Sequence, residues 1–241
     1  MITKIKFKIH PLFYLTSFIC FITGNFKDFV IFTSIIIIHE LGHIVGALIC
    51  NWNIEKVILL PFGGITIFKE HLNKSLKQEL LITILGPSFQ LIFYFLYKNN
   101  PNFSNFNNLI LFFNLLPIYP LDGSKIINIL LNRLFSFKFS HKMTIFISII
   151  TLIILILLGI KYNLLIILIL IFLIIELIKE IYKHKYYFNK FLLERYLYNF
   201  KFKRNKIIKN INQMKKETKH ILYVDKKYCT EKEILMKMFD N

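Results

Sequence analysis

Apolar residues run along this chain in long blocks separated by short polar joints. A helix needs ~20 largely apolar residues to cross the hydrocarbon core of a bilayer. Six blocks reach or approach that length: residues 9–24, 28–50, 78–97, 106–132, 143–159 and 163–178. The last two are short but carry no charge before Glu176. Their joint, Gly159-Ile160-Lys161-Tyr162-Asn163, is so brief that they read as an antiparallel pair of helices. Between the second and third blocks the pattern changes. Residues 57–68 are rich in β-branched and aromatic residues around Pro61, Gly63 and Gly64, which predicts a β-hairpin. An interfacial loop dipping into the bilayer is the alternative reading of that stretch. The chain starts with Lys4, Lys6 and Lys8 before an apolar run, as a signal peptide does. Only Thr23-Gly24-Asn25-Phe26 follows, without a small-residue cleavage site, so the first block reads as an uncleaved span.

Charge orients the blocks. Lys and Arg gather at the cytosolic ends of membrane spans. Three lie in the first eight residues, four in the loop 51–77, three in 133–142 and 17 after residue 178. The alternate loops hold one each: Lys27, Lys98 and Lys161. Six spans with both termini in the cytosol satisfy every loop. The expected fold class is therefore an all-α polytopic membrane protein of six transmembrane helices, with a small cytosol-side β-hairpin and a helical cytosolic tail.

Composition agrees: 55% of residues are apolar and 19% charged, with a net charge of +17. A soluble domain carries roughly 25% charged residues, so a disordered chain and a collagen-like chain are excluded and the balance argues against an ordinary soluble globule. Cys20, Cys50 and Cys229 are far apart and odd in number, which supports neither a disulfide framework nor a thiolate zinc site. Enrichment in Lys, Ile, Asn and Phe fits an AT-rich bacterial genome, and hence a bacterial cell membrane.

The second block contains His39-Glu40-Leu41-Gly42-His43, an H-E-x-x-H pattern. Residues four apart share a helix face, so both imidazoles can hold one zinc ion, with Glu40 placed to act as general base on water. Ionisable groups deep in a membrane are costly and functional by default; the bland alternative is a polar set that bonds neighbouring helices. A catalytic zinc wants a third protein ligand. The fourth block offers Asp122, just after Pro117 and Pro120, which remove helix hydrogen bonds and imply irregular backbone buried in protein or facing a water-filled cavity. The second and fourth blocks run in the same direction, and His43 and Asp122 both fall roughly 10–15 Å from the cytosolic end at 1.5 Å per residue. Glu176 is the competitor, but it lies near the end of its block, where it can snorkel to the interface.

These residues carry a family resemblance. His39-Glu40-Leu41-Gly42-His43, with Asn114-x-x-Pro117-x-x-Pro120-Leu121-Asp122-Gly123, resembles the site-2 protease family of intramembrane zinc metalloproteases. The six-block layout, Pro61-Phe62-Gly63-Gly64 and Gly86-Pro87 are similar to the subgroup of the stage IV sporulation factor protease. The resemblance covers roughly residues 5–178. It implies one zinc ion per chain held by His39, His43 and Asp122, with Glu40 as base and Asn114 helping to polarise the scissile carbonyl. It also implies a cytosol-facing site and a membrane-associated protein substrate, with a membrane inhibitor or regulator as a further partner beside the lipid bilayer.

The resemblance has departures. Ser124 stands where the family motif has a second Gly, and Lys125 follows it. No inserted domain of the PDZ type separates the motifs. Members of the subgroup often end in a nucleotide-sensing cystathionine-β-synthase-type domain. Here residues 219–241 hint at the start of one and are too few to complete it. The chain thus divides into a six-span membrane protease domain, 1–178, and a basic cytosolic tail, 179–241, read as a truncated regulatory domain.

Residues 179–218 mix Lys and Arg with Tyr and Phe. Directly after a span, that mixture predicts a juxtamembrane amphipathic helix on anionic lipid rather than a nucleic-acid surface, so no nucleic acid is expected. His10, His71, His141, His184 and His220 have no paired spacing and read as interfacial or surface residues. The functional expectation is an intramembrane zinc endopeptidase. The hairpin, through Gly63, Gly64, Ile65 and Ile67, is expected to fold back towards the zinc and pair with an unwound substrate strand. The rival is a metal-binding membrane protein without proteolytic activity, a transporter or scaffold, against which an intact Glu40 argues.

Overall fold

The computed structural model describes residues 6–158, 164–202, 204–224 and 227–240. The chain order is strand β1 (Lys6–Ile9), α1 (Pro11–Ile22), α2 (Phe26–Ile49), β2 (Ile54–Leu60), β3 (Gly63–Phe68), α3 (Leu76–Tyr97) and α4 (Pro101–Asn114). Then follow α5 (Asp122–Leu134), α6 (Phe137–Leu157), α7 (Leu164–Leu197), β4 (Arg204–Ile208), β5 (Thr218–Val224), β6 (Lys227–Thr230) and α8 (Glu231–Phe239). The joint expected at 159–163 lies outside the described residues.

Among the described residues, three helices are long and apolar enough to cross a membrane: α2 with 24 residues, α3 with 22 and α6 with 21. Large apolar side chains such as Phe18, Phe21, Phe95, Phe112 and Leu157 point outward. In water such a surface would drive association; facing lipid it is at home, and it puts the chain in a membrane. The other expected spans look different. α1 has 12 residues, about 18 Å at 1.5 Å per residue. The fourth block is two helices, α4 and α5, with irregular backbone at residues 115–121 where the prolines fall. α4 begins early because Pro101 opens it and the Asn100 side chain accepts from the Phe103 amide at 3.3 Å. α7 runs unbroken for 34 residues, so the division at 178 falls inside a helix.

The expected hairpin is present and has a third strand. β2 and β3 pair antiparallel, Leu60 opposite Gly63, and β1 pairs parallel with β2, Phe7 opposite Val57. Lys6-Phe7-Lys8-Ile9 alternates with a strand's period of two, but beside an apolar block it reads as a basic flank.

The tail corrects the all-helical expectation. Beyond α7 lies a second three-stranded sheet, order β4-β5-β6, with α8 packed beside it. α8 starts in a capping box: Thr230 accepts from the Glu233 amide while the Glu233 side chain accepts from the Thr230 amide. Phe191, Leu192, Met214, Leu222 and Leu235 form a core of their own there. Because Ile208 of β4 and Leu222 of β5 face inward onto that core, the tail buries apolar surface of its own instead of lying on lipid as one helix.

Two packing features position the site. α2 and α3 touch backbone to backbone, since a Cβ on Gly42 would overlap the Leu85 carbonyl. A second core joins Leu60 and Phe62 of the hairpin to Ile118 and Leu121 of the 115–121 segment and to Phe172, Leu173 and Leu177 of α7. It clamps the hairpin and the start of α5 over one side of α2.

Candidate metal centre

His39, Glu40 and His43 lie in the C-terminal half of α2 and are all buried. Helical spacing puts both imidazoles on one face. Asp122, the first residue of α5, meets them: its Oδ2 is 2.9 Å from His39 Nε2 and 2.9 Å from His43 Nε2, and the two Nε2 atoms are 3.1 Å apart. Three ligand-type atoms from two helices 79 or more residues apart in sequence thus converge on one point.

The outer nitrogens decide the tautomers. Gln90 Nε2 donates to the Asn107 carbonyl at 2.8 Å, which leaves Gln90 Oε1 to accept from His39 Nδ1 at 2.9 Å. His43 Nδ1 faces the Ile82 carbonyl at 2.9 Å, and a carbonyl can only accept. Both Nδ1 atoms therefore carry hydrogen, and both Nε2 lone pairs point to Asp122 Oδ2. Histidines that ligate metal are oriented by this kind of outer hydrogen bond. Edges of 2.9–3.1 Å are a little shorter than the ~3.3 Å of a tetrahedron with zinc bonds of ~2.0–2.1 Å. The donor set, two imidazoles and a carboxylate, therefore fits zinc after a small outward shift. Asp122's other oxygen, Oδ1, accepts from Lys125 Nζ at 2.8 Å.

Glu40 also brings a carboxylate oxygen within 4.8 Å of the imidazole nitrogens. Its surroundings suit a different role. Its Oε2 accepts from Thr66 Oγ1 of β3 at 2.9 Å. Gly64 lies against it so closely that a Cβ there would overlap the carboxylate. Gly86 of α3 lies equally close to the His43 ring. Asn114, the last residue of α4, is buried; its Oδ1 lies 3.1 Å from where a Gly63 Cβ would be, and its Nδ2 has no hydrogen-bond partner.

Each predicted site residue can now be placed. His39, Glu40, His43 and Asp122 come together, with Gly63, Gly64 and Asn114 beside them. Ile65 and Ile67 alternate with Thr66, so their side chains point to the opposite face of β3 from Glu40; Ile65 packs into the core with Leu60 and Phe62. Glu176 is absent from the cluster and pairs with Lys179 at 2.6 Å. Lys125, three residues along α5, holds Asp122. His141 and His220, read as surface residues, are buried at 5% and 0% exposure. Sequence reasoning missed Gln90 and Thr66. The signal for Gln90 was there, a single amide in an otherwise apolar stretch of α3. For Thr66 there was none, since threonine is common in strands.

Comparison with known proteins adds an independent line. The model of Peptidase family M50 matches residues 28–98, a segment that holds His39, Glu40 and His43 and ends before Asp122. Stage IV sporulation protein FB of Bacillus subtilis (strain 168) is 35% identical over 144 residues, covering 55% of this chain and 50% of that protein. A zinc metalloprotease of Methanocaldococcus jannaschii is 31% identical over 124 residues, 45% of this chain and 35% of that protein. The chain thus spans half the length or less of these curated relatives. Among solved structures, the site-2 protease from Methanocaldococcus jannaschii shares the fold, with a TM-score of 0.61, 24% identity, and coverage of 75% of this chain and 92% of that one. These matches bear out the resemblance to the site-2 protease family that the motifs carry.

Proposed function

We propose that this protein is an intramembrane zinc endopeptidase that cleaves a membrane-associated protein in or near the cytosolic membrane face. The observation that carries the reading is the convergence of His39 Nε2, His43 Nε2 and Asp122 Oδ2 at 2.9–3.1 Å, with Glu40 alongside. These three residues would hold a single zinc ion. When bound, zinc acidifies water and polarises a carbonyl.

The chain's own residues supply the remaining steps. Glu40, with Oε2 fixed by Thr66, uses Oε1 to take the proton of the attacking water and returns it to the leaving amine. Asn114 offers its unpartnered Nδ2 to the substrate carbonyl. Peptide-bond cleavage needs an extended substrate, because a helix ties its carbonyls into i→i−4 bonds. β3 is an edge of its sheet, with β2 on one side only, and its Gly64 and Thr66 face Glu40. An unwound substrate segment adds to that edge as a strand.

In this reading the protein has six spans, with both termini in the cytosol of a bacterial cell. The positive charge in the loops and tail supports that orientation, and a membrane-impermeant thiol reagent should fail to reach Cys229 from outside intact cells. Co-expression with a panel of membrane-tethered candidates tests the activity. Glu40→Gln should keep its zinc and lose cleavage, since the three ligands are untouched. Cleavage of a verified substrate by Glu40→Gln at the wild-type rate would make the proteolytic reading wrong.

A further inference from the structure

A cavity of about 1060 Å³, lined by neither His39 nor His43, lies where the tail meets the first turn of α3 and the last turns of α5. Its walls are cationic on both sides. Lys77 of α3 and Arg133 of α5 face Lys201, Arg204, Lys206 and Lys215 of the tail across it. Lys74 and Lys216 also line it, but they are matched by Glu70 and Glu79. Glu217 is the sole acid on the wall, and it is spent: its Oε1 accepts from Ser75 Oγ at 2.9 Å and from the Leu76 amide at 3.0 Å, capping α3.

Lys77, Arg133, Lys201, Arg204 and Lys206 pair with no carboxylate among the described residues. Burial and, second to it, the neighbouring Lys206 push the Lys215 ammonium pKa down, and its Nζ donates to the Leu134 carbonyl. Like charges on facing walls repel unless an anion sits between them. Phe200 and Phe202 also line the cavity, so the space is basic with an apolar part.

We propose that this cavity is a binding site for a phosphate-bearing anion, which bridges the tail to α3 and α5. Two sources offer that chemistry at a cytosolic membrane face: a soluble polyphosphate-type anion and the headgroup of an anionic lipid. The site is independent of the zinc reading, although α5 carries Asp122 at its other end, 11 residues or about 17 Å away from Arg133.

The test uses the full chain in neutral detergent, with sodium tripolyphosphate as probe, and the same chain in nanodiscs with or without phosphatidylglycerol. Thermal unfolding reads both arms. A K201Q/R204Q/K206Q variant, all three residues being exposed, is compared with K219Q/K232Q/K237Q, which removes equal charge outside the cavity. Stabilisation by tripolyphosphate in detergent identifies the soluble source, and stabilisation by phosphatidylglycerol alone identifies the headgroup. In either case the cavity variant should weaken the half-maximal concentration or lipid fraction at least about tenfold, one charge-assisted hydrogen bond being worth that much. R133Q, on the opposite wall, should weaken it in the same direction. No stabilisation in either arm, or equal losses in the cavity and control variants, would overturn the proposal.

Discussion

Two of the places where the chain buries ionisable groups differ in what is left over. At the histidine–aspartate centre, the outward-facing atoms are all occupied: His39 Nδ1 by Gln90, His43 Nδ1 by the Ile82 carbonyl, Asp122 Oδ1 by Lys125. The inward-facing Nε2 and Oδ2 atoms have only one another, three acceptors crowded together. In the tail, Arg195 is just as deeply buried, but every contact is used. Its Nε donates to Asn73 Oδ1, Nη1 to Glu231 and to the Thr218 carbonyl, and Nη2 to the Lys215 carbonyl. Burial pulls the Arg195 pKa down and Glu231 pulls it back up. His220 completes the set, with Nδ1 towards Glu231 and Nε2 accepting from the Lys215 amide. Burial of charge does not by itself signal chemistry. Three converged acceptors call for a cation; a closed network of donors and acceptors holds a module together.

Removing a converged acceptor should have the largest effect. His39→Ala, His43→Ala and Asp122→Ala should each lose most of the zinc on purification, measured by elemental analysis, while Glu176→Gln keeps it. Retained zinc in Asp122→Ala together with loss in Glu176→Gln would move the third ligand to α7 and break the contrast drawn here.

Arg195→Met should act on the other region. Removing one partner of a buried pair costs about 3–5 kcal/mol, and Glu231 would keep only the His220 amide and imidazole. Residues 198–240 should become rapidly clipped by protease and exchange their amides quickly, with zinc content unchanged. A tail that stays protected in this variant would mean that the apolar core around Phe191 and Leu222 suffices alone.

Gln90→Leu tests whether the outer hydrogen bonds matter at the zinc centre. It removes the acceptor for His39 Nδ1 and frees the tautomer, and such losses weaken metal affinity by roughly 10–100-fold. A chelator competition series reads this directly. Gln90→Glu, which still accepts from Nδ1, should recover part of the loss; unchanged affinity in both variants would demote Gln90 to helix packing with Asn107.

How much of this was legible in the sequence follows from the same contrast. The candidate metal centre was readable because its parts are fixed locally: His39 and His43 share a helix face by spacing alone, and prolines flag the break before Asp122. The hairpin was readable from its turn residues. The partners that close each network were not. Gln90 acquires meaning only when α3 packs on α2 through Gly42 and Gly86, and Arg195 only when Asn73, 122 residues earlier, is brought against it. β1 was hidden because Lys6 and Lys8 serve equally as a strand's polar alternation and as a span's basic flank. The tail sheet was hidden because its aromatic and basic residues matched a membrane-surface helix equally well.

The smallest effect expected, and the finest probe of the link between hairpin and zinc centre, is at Thr66. Its hydroxyl is buried and donates to Glu40 Oε2, so β3 both covers the glutamate and fixes its rotation. Thr66→Val keeps the shape and the β-branch but leaves one carboxylate oxygen unpartnered; a hydrogen bond to a charged group contributes about 1.5–3 kcal/mol. In the proposed mechanism Glu40 touches the reacting water and Thr66 acts only through Glu40, so the loss should fall on kcat, roughly tenfold, with KM and zinc content unchanged. Thr66→Ser restores the donor and should restore most of kcat. If Thr66→Val instead raised KM with kcat intact, β3 would serve as substrate edge alone. If Thr66→Ser were as impaired as Thr66→Val, the methyl group's packing rather than the hydroxyl would be the contribution, and the hairpin would belong with the tail network as scaffolding.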